Sequence, residues 1–383
     1  MILIKNIDIY SPKYIGKKDI FISGGKIVLI DDKIEFSNNK IKVIDGTDKI
    51  LTPGFIDQHV HITGGGGEGS FKTKAPEITL TKLTKAGITT VVGLLGTDGT
   101  TRSVENLVAK AKALKEEGIS TYAYTGSYEY PTITITGSIK KDIAFIDEII
   151  GVKLALSDHR APNVSNDELK RVVSDARVAG MLSGKAGIVV LHMGDGKLGL
   201  SPVNEILEET EIPIKTIRPT HVNRREELLL EAFDYAKRGG RIDLTCGMKK
   251  NLEPRNCIKR AIENNVPMEN ITISSDGYGS WSTYDEAGNL LKMGVSSVKS
   301  LHDEFKYMIK ELEFNIEDAL IFVTSNVAKG LEIYPKKGCI SENSDADILL
   351  MDKNLEIDTV IANGKLMIEN KEIIVYGSYE QIF

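Results

Sequence analysis

The sequence predicts an α/β fold: a (β/α)8 barrel with a small β-sandwich domain formed by both ends of the chain. Short apolar runs rich in β-branched residues recur about every thirty residues through the middle of the chain, and segments of helical periodicity lie between them. Eight such units over roughly 250 residues favour a closed barrel. Both ends instead alternate apolar and polar residues with the period of half-buried strands.

The two ends of the chain predict the β domain. ILIKNIDIY and DIFISGGKIVLI near the start, and DADILLMD, IDTVIANGKLMIEN and KEIIVYG near the end, are strand-like runs separated by turns. Asn363-Gly364 is a strong hairpin-turn signal. We therefore predict one β domain from residues 1–50 and 334–383, and a barrel over residues 51–333.

The middle of the chain predicts the barrel strands and helices. The segments ENLVAKAKALKEEG and REELLLEAFDYAKRGG have helical periodicity and charged faces. A doubly wound open sheet is the alternative arrangement. In a barrel the active site lies at the carboxyl ends of the strands. The predicted strands lie near residues 55–61, 88–95, 119–126, 151–156, 187–193, 214–221, 241–246 and 271–276.

Composition excludes several classes of protein. The 383 residues are 41% hydrophobic and 27% charged, with a net charge of −6, which gives no reason to expect nucleic acid or an anionic membrane as a partner. No apolar run approaches the ~18 residues of a membrane span. Three cysteines without metal-type spacing argue against disulfides and a cysteine zinc site. We expect a cytoplasmic protein.

Histidines fall at the ends of the predicted strands. His59 and His61, in FIDQHVH, close the first strand, and an i, i+2 pair points to one side of a strand. Alone, such a pair is equally consistent with exposed or core histidines. His192, His221 and Asp276, however, end the fifth, sixth and eighth strands. This pattern is difficult to attribute to packing, because each group would need its own buried partner.

Imidazole and carboxylate ligands suit zinc, which lowers the pKa of bound water to ~7 and so indicates a hydrolase. Four histidines and an aspartate exceed the needs of one ion, which suggests two metals ~3.5–4 Å apart and a bridging anion. Lys153, in the apolar strand GVKLALSDHR, could become that anion as a carbamate formed with carbon dioxide. The alternative is a lysine that reaches solvent or pairs with glutamate. We expect no carboxylate from this strand in the barrel mouth.

The glycine run GGGGEG has two interpretations. It matches the dinucleotide pattern G-x-G-x-x-G, but it follows two metal-type histidines and lacks a suitably placed ribose-binding acid, so we reject nucleotide binding. Glycine lets a backbone pass close to a ligand, which would bring Glu68 over the site. A plain flexible loop is the alternative.

These features together resemble the amidohydrolase superfamily. The chain has its His-x-His after strand one, a lysine on strand four, histidines after strands five and six, and an aspartate after strand eight. LTPGFIDQHVH and SENSDADILLMD resemble that superfamily's entry to and exit from the barrel. Within it, the chain most resembles the isoaspartyl (β-aspartyl) dipeptidases over essentially its whole length, through HVHITGGGGEG, VVGLLGTDG, VLHMGDGK, PTHVNR and SSDGYGS.

The resemblance implies a binuclear zinc enzyme, although other divalent metals are compatible with the same ligands. His59 and His61 would bind one zinc and His192 and His221 the other, with carboxylated Lys153 between them. Asp276 would ligate the first zinc and transfer protons, and Tyr128 would stabilise the oxyanion. The family also implies a homo-oligomer, such as an octamer. The implied substrate-binding residues are Gly66, Glu68, Thr97, Tyr128, Arg160, Arg224 and Ser280.

Charge complementarity supports β-aspartyl dipeptides as substrates. Glu68 can pair with the α-ammonium group, and Arg160 and Arg224 can each bind a carboxylate in bidentate fashion. The sequence does not assign either arginine to a particular carboxylate, and without the resemblance surface ion pairs would be the simpler interpretation. A dihydropyrimidinase-like cyclic amidase would lack these charges. A non-catalytic scaffold would be expected to have lost a metal ligand, and none is lost.

Overall fold

The computed structural model describes residues 1–36 and 38–381, and its strands fall into three groups. The N-terminal strands are β1 (Ile2–Tyr10), β2 (Tyr14–Ser23), β3 (Lys26–Asp31), β4 (Lys42–Asp45) and β5 (Ile50–Pro53). The barrel strands are β6 (Phe55–Val60), β7 (Ile88–Gly93), β8 (Ser120–Gly126), β9 (Ile149–Leu156), β10 (Ile188–Met193), β11 (Ile217–Thr220), β12 (Ile242–Thr245) and β13 (Ile271–Ser274). The remaining strands are β14 (Ser280–Tyr284), β15 (Leu290–Val295), β16 (Ile348–Met351), β17 (Ile357–Ala362), β18 (Lys365–Glu369) and β19 (Glu372–Ile373).

Helices follow the barrel strands in sequence, as the βα pattern predicted. Two of the predicted helical segments correspond to α2 and α6, within one or two residues at each end apart from the final glycines. The helices are α1 (Leu80–Lys85), α2 (Val104–Glu117), α3 (Ile139–Phe145), α4 (Asn166–Ser183), α5 (Ser201–Glu209), α6 (Glu226–Lys237), α7 (Pro254–Glu263), α8 (Lys299–Leu312), α9 (Ile316–Leu320) and α10 (Ser325–Gly330).

Strands β6–β13 form one parallel sheet in sequence order. The first and last strands meet through a parallel bridge between Val60 and Gly277, next to which His61 N donates to Gly277 O at 2.9 Å. The ring therefore closes as a barrel, and the open doubly wound sheet is wrong. Strand β11 starts three residues later than predicted because Ile214–Thr216 forms a 3₁₀ turn.

Local sequence explains where several elements begin and end. Ser165 and Glu168 form a capping box that starts α4, and Gly184, in the left-handed conformation, ends it. Asn363 and Gly364 have φ of 47° and 74° between β17 and β18, as the hairpin turn requires. None of the helices in the described ranges has the length and apolar character needed to cross a membrane.

Both ends of the chain form a separate nine-stranded sheet, which confirms the β domain. Strand β5 pairs with β16 in antiparallel register, with Leu51 opposite Leu350, and so joins the two ends. Strand β1 pairs with β2 on one side and with β4 and β5 on the other. An isoleucine-rich cluster of buried residues forms the core of this domain. A second, larger cluster of buried apolar residues fills the barrel and also takes in residues of β16, β17 and β18, so the β domain packs against the barrel through this cluster.

Candidate metal centre and substrate site

The barrel brings four histidines and one aspartate together at the carboxyl ends of its strands, as the sequence predicted. His59 lies within β6, and His61 is the first residue after that strand. His192 lies near the end of β10 and His221 directly follows β11. The rings of His59 and His192 each lie 4.7 Å from that of His221, centroid to centroid.

One cluster in this group has the spacing of a metal site. Ligand atoms of His59, His221 and Asp276 all lie within 4.8 Å of one another. Oδ1 of Asp276 lies 3.3 Å from Nε2 of His61 and 3.6 Å from Nε2 of His59. In the described part of the chain this buried oxygen has no hydrogen-bond partner, as expected for a metal ligand. These side chains can hold a metal ion.

The protonation of the histidines also suits metal binding. Burial lowers the pKa of His59, His192 and His221 well below the usual value, and nearby positive charges add to that effect, although the hydrogen bond with Asp158 opposes it at His192. Neutral imidazole is the form that ligates metals. Nδ1 of His221 lies 2.7 Å from Oγ1 of Thr245, which leaves its Nε2 facing the cluster.

Lys153 lies on β9, fully buried, beside this cluster. Its Nζ lies 3.0 Å from Nε2 of His59, and it forms no ion pair with a carboxylate among residues 1–36 and 38–381. Burial lowers the pKa of the Lys153 amine to about 7, although Asp276 and Asp243 oppose this shift. The structure therefore excludes both alternatives considered for this lysine, exposure to solvent and pairing with a glutamate, within the described residues.

The backbone is strained at two of the predicted ligands. His221 and Asp276 have φ of 61° and 50°, in the left-handed region that residues other than glycine seldom adopt. Such conformations cost on the order of 1–3 kcal/mol each and cluster at functional sites. The side chains of both residues belong to the cluster described above.

A cavity of about 700 Å³ opens above the cluster. All seven predicted substrate-binding residues line it, together with three predicted metal ligands. Of the other predicted ligands, His221 packs against His192 and His59, and Lys153 contacts His59. The lining residues among the sequence predictions are His61, Gly66, Glu68, Thr97, Tyr128, Arg160, His192, Arg224, Asp276 and Ser280.

Glu68 enters the cavity from the glycine run. Its Oε1 accepts from Ser280 Oγ at 2.7 Å and lies 3.4 Å from both Thr97 Oγ1 and Arg160 Nη1. Its Oε2 is buried and has no partner in the described residues, and the side chain is only 5% exposed. A Cβ at Gly66 would lie 2.4 Å from the carbonyl oxygen of Thr73, so this close backbone approach requires glycine.

The two arginines and Tyr128 complete the polar lining. Nε of Arg224 donates to the Met193 carbonyl at 3.0 Å, and the Arg160 guanidinium lies 5.4 Å from the centre of the Tyr128 ring. Oη of Tyr128 lies 2.6 Å from Nδ1 of His192. Burial raises the pKa of the Tyr128 hydroxyl, so this group remains a hydrogen-bond donor at neutral pH.

One expectation about the fourth strand is wrong. Asp158, two residues after β9, places a carboxylate in the barrel mouth, where it contacts Arg160 and His192. Burial would raise the pKa of Asp158, but hydrogen bonds from Arg160 and His192 outweigh it and keep the carboxyl ionised. The aspartate stands two residues before Arg160 in SDHR, and that spacing was a signal that sequence reasoning could have used.

The hairpin β14–β15 is a second feature that the sequence did not predict. Five residues from Ser280 to Tyr284 line the cavity, and the Tyr284 ring meets that of His159 edge-on at 5.0 Å. Trp281 is among the large apolar side chains of the hairpin that remain exposed. The hairpin follows β13 directly and so forms one wall of the site.

A closed (β/α)8 barrel with buried histidines, an aspartate and a lysine at its strand ends defines a metal-dependent hydrolase. The chain belongs to the amidohydrolase family, whose model matches residues 50–198 and 205–367.

Comparison with solved structures gives a more specific likeness. The β-aspartyl dipeptidase of Fervidobacterium islandicum AW-1, in complex with a β-Asp-Leu dipeptide, is 43% identical, with a TM-score of 0.92 over 97% of this chain and 98% of that chain. The dihydropyrimidinase of Brevibacillus agri NCHU1002 is 16% identical, with a TM-score of 0.68 over 98% and 96% of the two chains, and it shows the fold alone.

Curated relatives share only part of the sequence. A dihydroorotase of Listeria monocytogenes serotype 4a is 31% identical over 202 residues, which is 51% of this chain and 46% of that protein. A dihydroorotase of Elusimicrobium minutum is 30% identical over 219 residues, 56% of this chain and 47% of that protein. The chain thus spans about half the length of the curated relatives it matches.

Proposed function

We propose that this protein is a metal-dependent β-aspartyl dipeptidase, which hydrolyses the amide bond through the aspartate side chain and releases aspartate and a second amino acid. One observation carries the proposal. Glu68, Arg160 and Arg224 line a single cavity above the metal centre, and Glu68 retains a buried carboxylate oxygen without a partner in the described residues. The 43% identical dipeptidase, complexed with β-Asp-Leu, supports the same conclusion.

The charges of the cavity match those of the substrate. A β-aspartyl dipeptide has one ammonium group and two carboxylates around its amide. Oε2 of Glu68 is available for the ammonium group, and Arg160 and Arg224 for the carboxylates. Charge-assisted hydrogen bonds of this kind are about twice as strong as neutral ones. The neutral ring of a cyclic amide would leave part of this set unpaired at an energetic cost.

The proposed metal centre contains two zinc ions. His59, His61 and Asp276 would hold one, His192 and His221 the other, and Lys153 as a carbamate would contact both. The lowered pKa of Lys153 favours the neutral amine that reacts with carbon dioxide. When bound, such ions lower the pKa of water and polarise a carbonyl group.

The chain's own residues would supply hydrogen bonds and proton transfer. Tyr128 would donate its hydroxyl proton as a hydrogen bond to the carbonyl oxygen of the scissile amide as negative charge develops there. Asp276 would accept a proton from the attacking water at its carboxylate and transfer it to the leaving nitrogen. The carbon–nitrogen bond then breaks, and the new carboxyl group belongs to the released aspartate.

We also propose a cytoplasmic homo-oligomer, such as an octamer, with a barrel over residues 51–333 and a β domain from residues 1–50 and 334–383. The three cysteines are buried and unpaired, which suits a reducing compartment. Light scattering of purified protein would measure the number of subunits. A monomeric mass would contradict the proposed assembly.

The first test compares substrates on zinc-supplemented protein. We expect rapid hydrolysis of β-Asp-Leu and little hydrolysis of α-Asp-Leu or dihydroorotate. α-Asp-Leu carries the same three charges, but its ammonium group and its amide carbonyl are attached to one carbon, so the same charge contacts would displace the amide. Initial rates measured by release of free leucine, or by absorbance for dihydroorotate, would check this. Chelator-treated protein is the control and should be inactive until zinc is restored. Ring opening of dihydroorotate without dipeptide cleavage would favour a cyclic amidase instead.

Replacement of Glu68 tests recognition of the ammonium group. We expect Glu68→Gln to raise KM for β-Asp-Leu about 10- to 100-fold, because a hydrogen bond to a charged group contributes roughly 1.5–3 kcal/mol. Steady-state kinetics would measure this change. Glu286→Gln, which removes an exposed carboxylate lining the same cavity, is the matched control and should leave KM nearly unchanged. Equal effects of both substitutions would contradict a specific role for Glu68.

A further inference from the structure

Asp158 contacts two side chains with different proposed tasks. Its Oδ2 lies 3.0 Å from Nε2 of His192, a proposed metal ligand. Its Oδ1 and Oδ2 also accept from Nε and Nη2 of Arg160, each at 2.9 Å. The Asp158 side chain is only 3% exposed, so these contacts are largely shielded from water. One buried carboxylate thus connects the metal centre with the substrate cavity.

We propose that Asp158 is a positioning residue, which orients His192 toward the metal centre and Arg160 toward a substrate carboxylate. This inference rests on the proposed function and deepens it. Asp158 acts through its two neighbours.

The contact of Asp158 with His192 determines which ring nitrogen of this histidine can bind a metal ion. A carboxylate only accepts hydrogen bonds, so Nε2 of the neutral imidazole carries the proton and Nδ1 carries the lone pair. In this structure Nδ1 accepts from the hydroxyl of Tyr128, a residue that lines the cavity, at 2.6 Å. Metal-ligating histidines commonly donate their second N–H to a carboxylate, which fixes both the tautomer and the ring orientation.

The contact with Arg160 leaves one end of the guanidinium group available. Asp158 occupies Nε and Nη2, while Nη1 lies 3.4 Å from Oε1 of Glu68 and 3.5 Å from Oγ1 of Thr97, within the cavity. A guanidinium held in this plane has little rotational freedom left to lose when a ligand binds. Nη1 is therefore positioned in advance for a carboxylate.

The same barrel contains a comparable pair that is remote from the cavity. Glu304 on α8 accepts from Nη1 of Arg255 on α7 at 2.6 Å, and its side chain is 4% exposed. Neither residue lines the cavity. Because this pair joins two helices and lies away from the cavity, the loss of its carboxylate should affect stability without affecting the site.

The experiment compares Asp158→Asn with Glu304→Gln in the full-length protein. For each variant we would measure Zn²⁺ affinity against a competing chelator, KM and kcat for β-Asp-Leu, and the melting temperature. Asp158→Asn should weaken Zn²⁺ binding about 10- to 100-fold, the usual effect of losing a partner of a metal ligand, and should also raise KM about tenfold. Glu304→Gln should lower the melting temperature and leave both other quantities near wild type.

The proposal is overturned if Asp158→Asn changes only the melting temperature, or if only one of Zn²⁺ affinity and KM changes. Should that variant fail to fold, Asp158→Glu keeps the charge but displaces it, and smaller changes in the same two quantities are expected. Wild-type protein that binds Zn²⁺ but does not cleave β-Asp-Leu would refute the proposed function and, with it, the Arg160 half of the inference. The Zn²⁺ affinities would still decide the role toward His192.

Discussion

Asp276→Asn is expected to reduce kcat for β-Asp-Leu by about 10²- to 10⁴-fold, because general acid–base catalysis contributes roughly that much. Asparagine has nearly the shape of aspartate and tolerates the left-handed backbone at this position, where φ is 50°. The fold should therefore be preserved. Zinc content should remain close to wild type, since the proposed histidine ligands and Lys153 are unchanged. Steady-state kinetics and elemental analysis on the same preparation would check both expectations.

The control for this variant replaces an aspartate away from the centre. Asp345→Asn alters a buried carboxylate of the β domain that pairs with Lys26 and Lys337. We expect it to lower the melting temperature and leave kcat unchanged. Full turnover in Asp276→Asn with normal zinc content would refute proton transfer by Asp276. A loss of zinc equal to the loss of activity would reduce its role to that of a ligand.

Lys153→Ala is expected to lower kcat at least ~100-fold, because the proposed metals would lose the anion between them. The substitution leaves a space of about the size of a lysine side chain beside His59. Small carboxylates such as acetate or propionate can enter that space and replace the carbamate, so millimolar concentrations should restore part of the activity. Rates measured with and without these anions would test the role of Lys153 as an anion.

A second buried lysine provides the matched control. Lys337 is also almost fully buried, but it pairs with Asp345 at 2.8 Å and with Asp347 at 2.5 Å, and these aspartates raise its pKa despite burial. Lys337→Ala should lower stability, and carboxylates should not restore what it loses. If acetate restores neither variant, or both equally, the carbamate at Lys153 is refuted.

The sequence determined the barrel and most of its candidate site, for a physical reason. Parallel strands buried on both faces require continuous apolar runs, so the polar residues that end such runs stand out. His192, His221 and Asp276 were predicted in this way, and all three lie in the barrel mouth. The β domain was predicted from strand alternation at both ends of the chain. The placement of Glu68 over the site was predicted from the glycine run that precedes it.

Only the tertiary structure decided which groups meet and which lack partners. Contacts between residues far apart in sequence depend on strand order and closure, which no local pattern encodes. The single ring of β6–β13 places Lys153 beside His59 without a carboxylate partner in the described residues, and leaves Oε2 of Glu68 without a hydrogen bond.

Asp158 is the residue at which the structure differs most from the sequence prediction. The sequence alone does not show which way the Asp158 side chain points, because the alternation of side chains along a strand does not extend to residues beyond its end. In the folded chain it contacts both His192 and Arg160. The hairpin β14–β15 likewise became a wall of the cavity only when the chain after β13 folded over the barrel mouth. The sequence by itself determined the residue types available at the strand ends, whereas packing of distant segments decided their partners, burial and protonation.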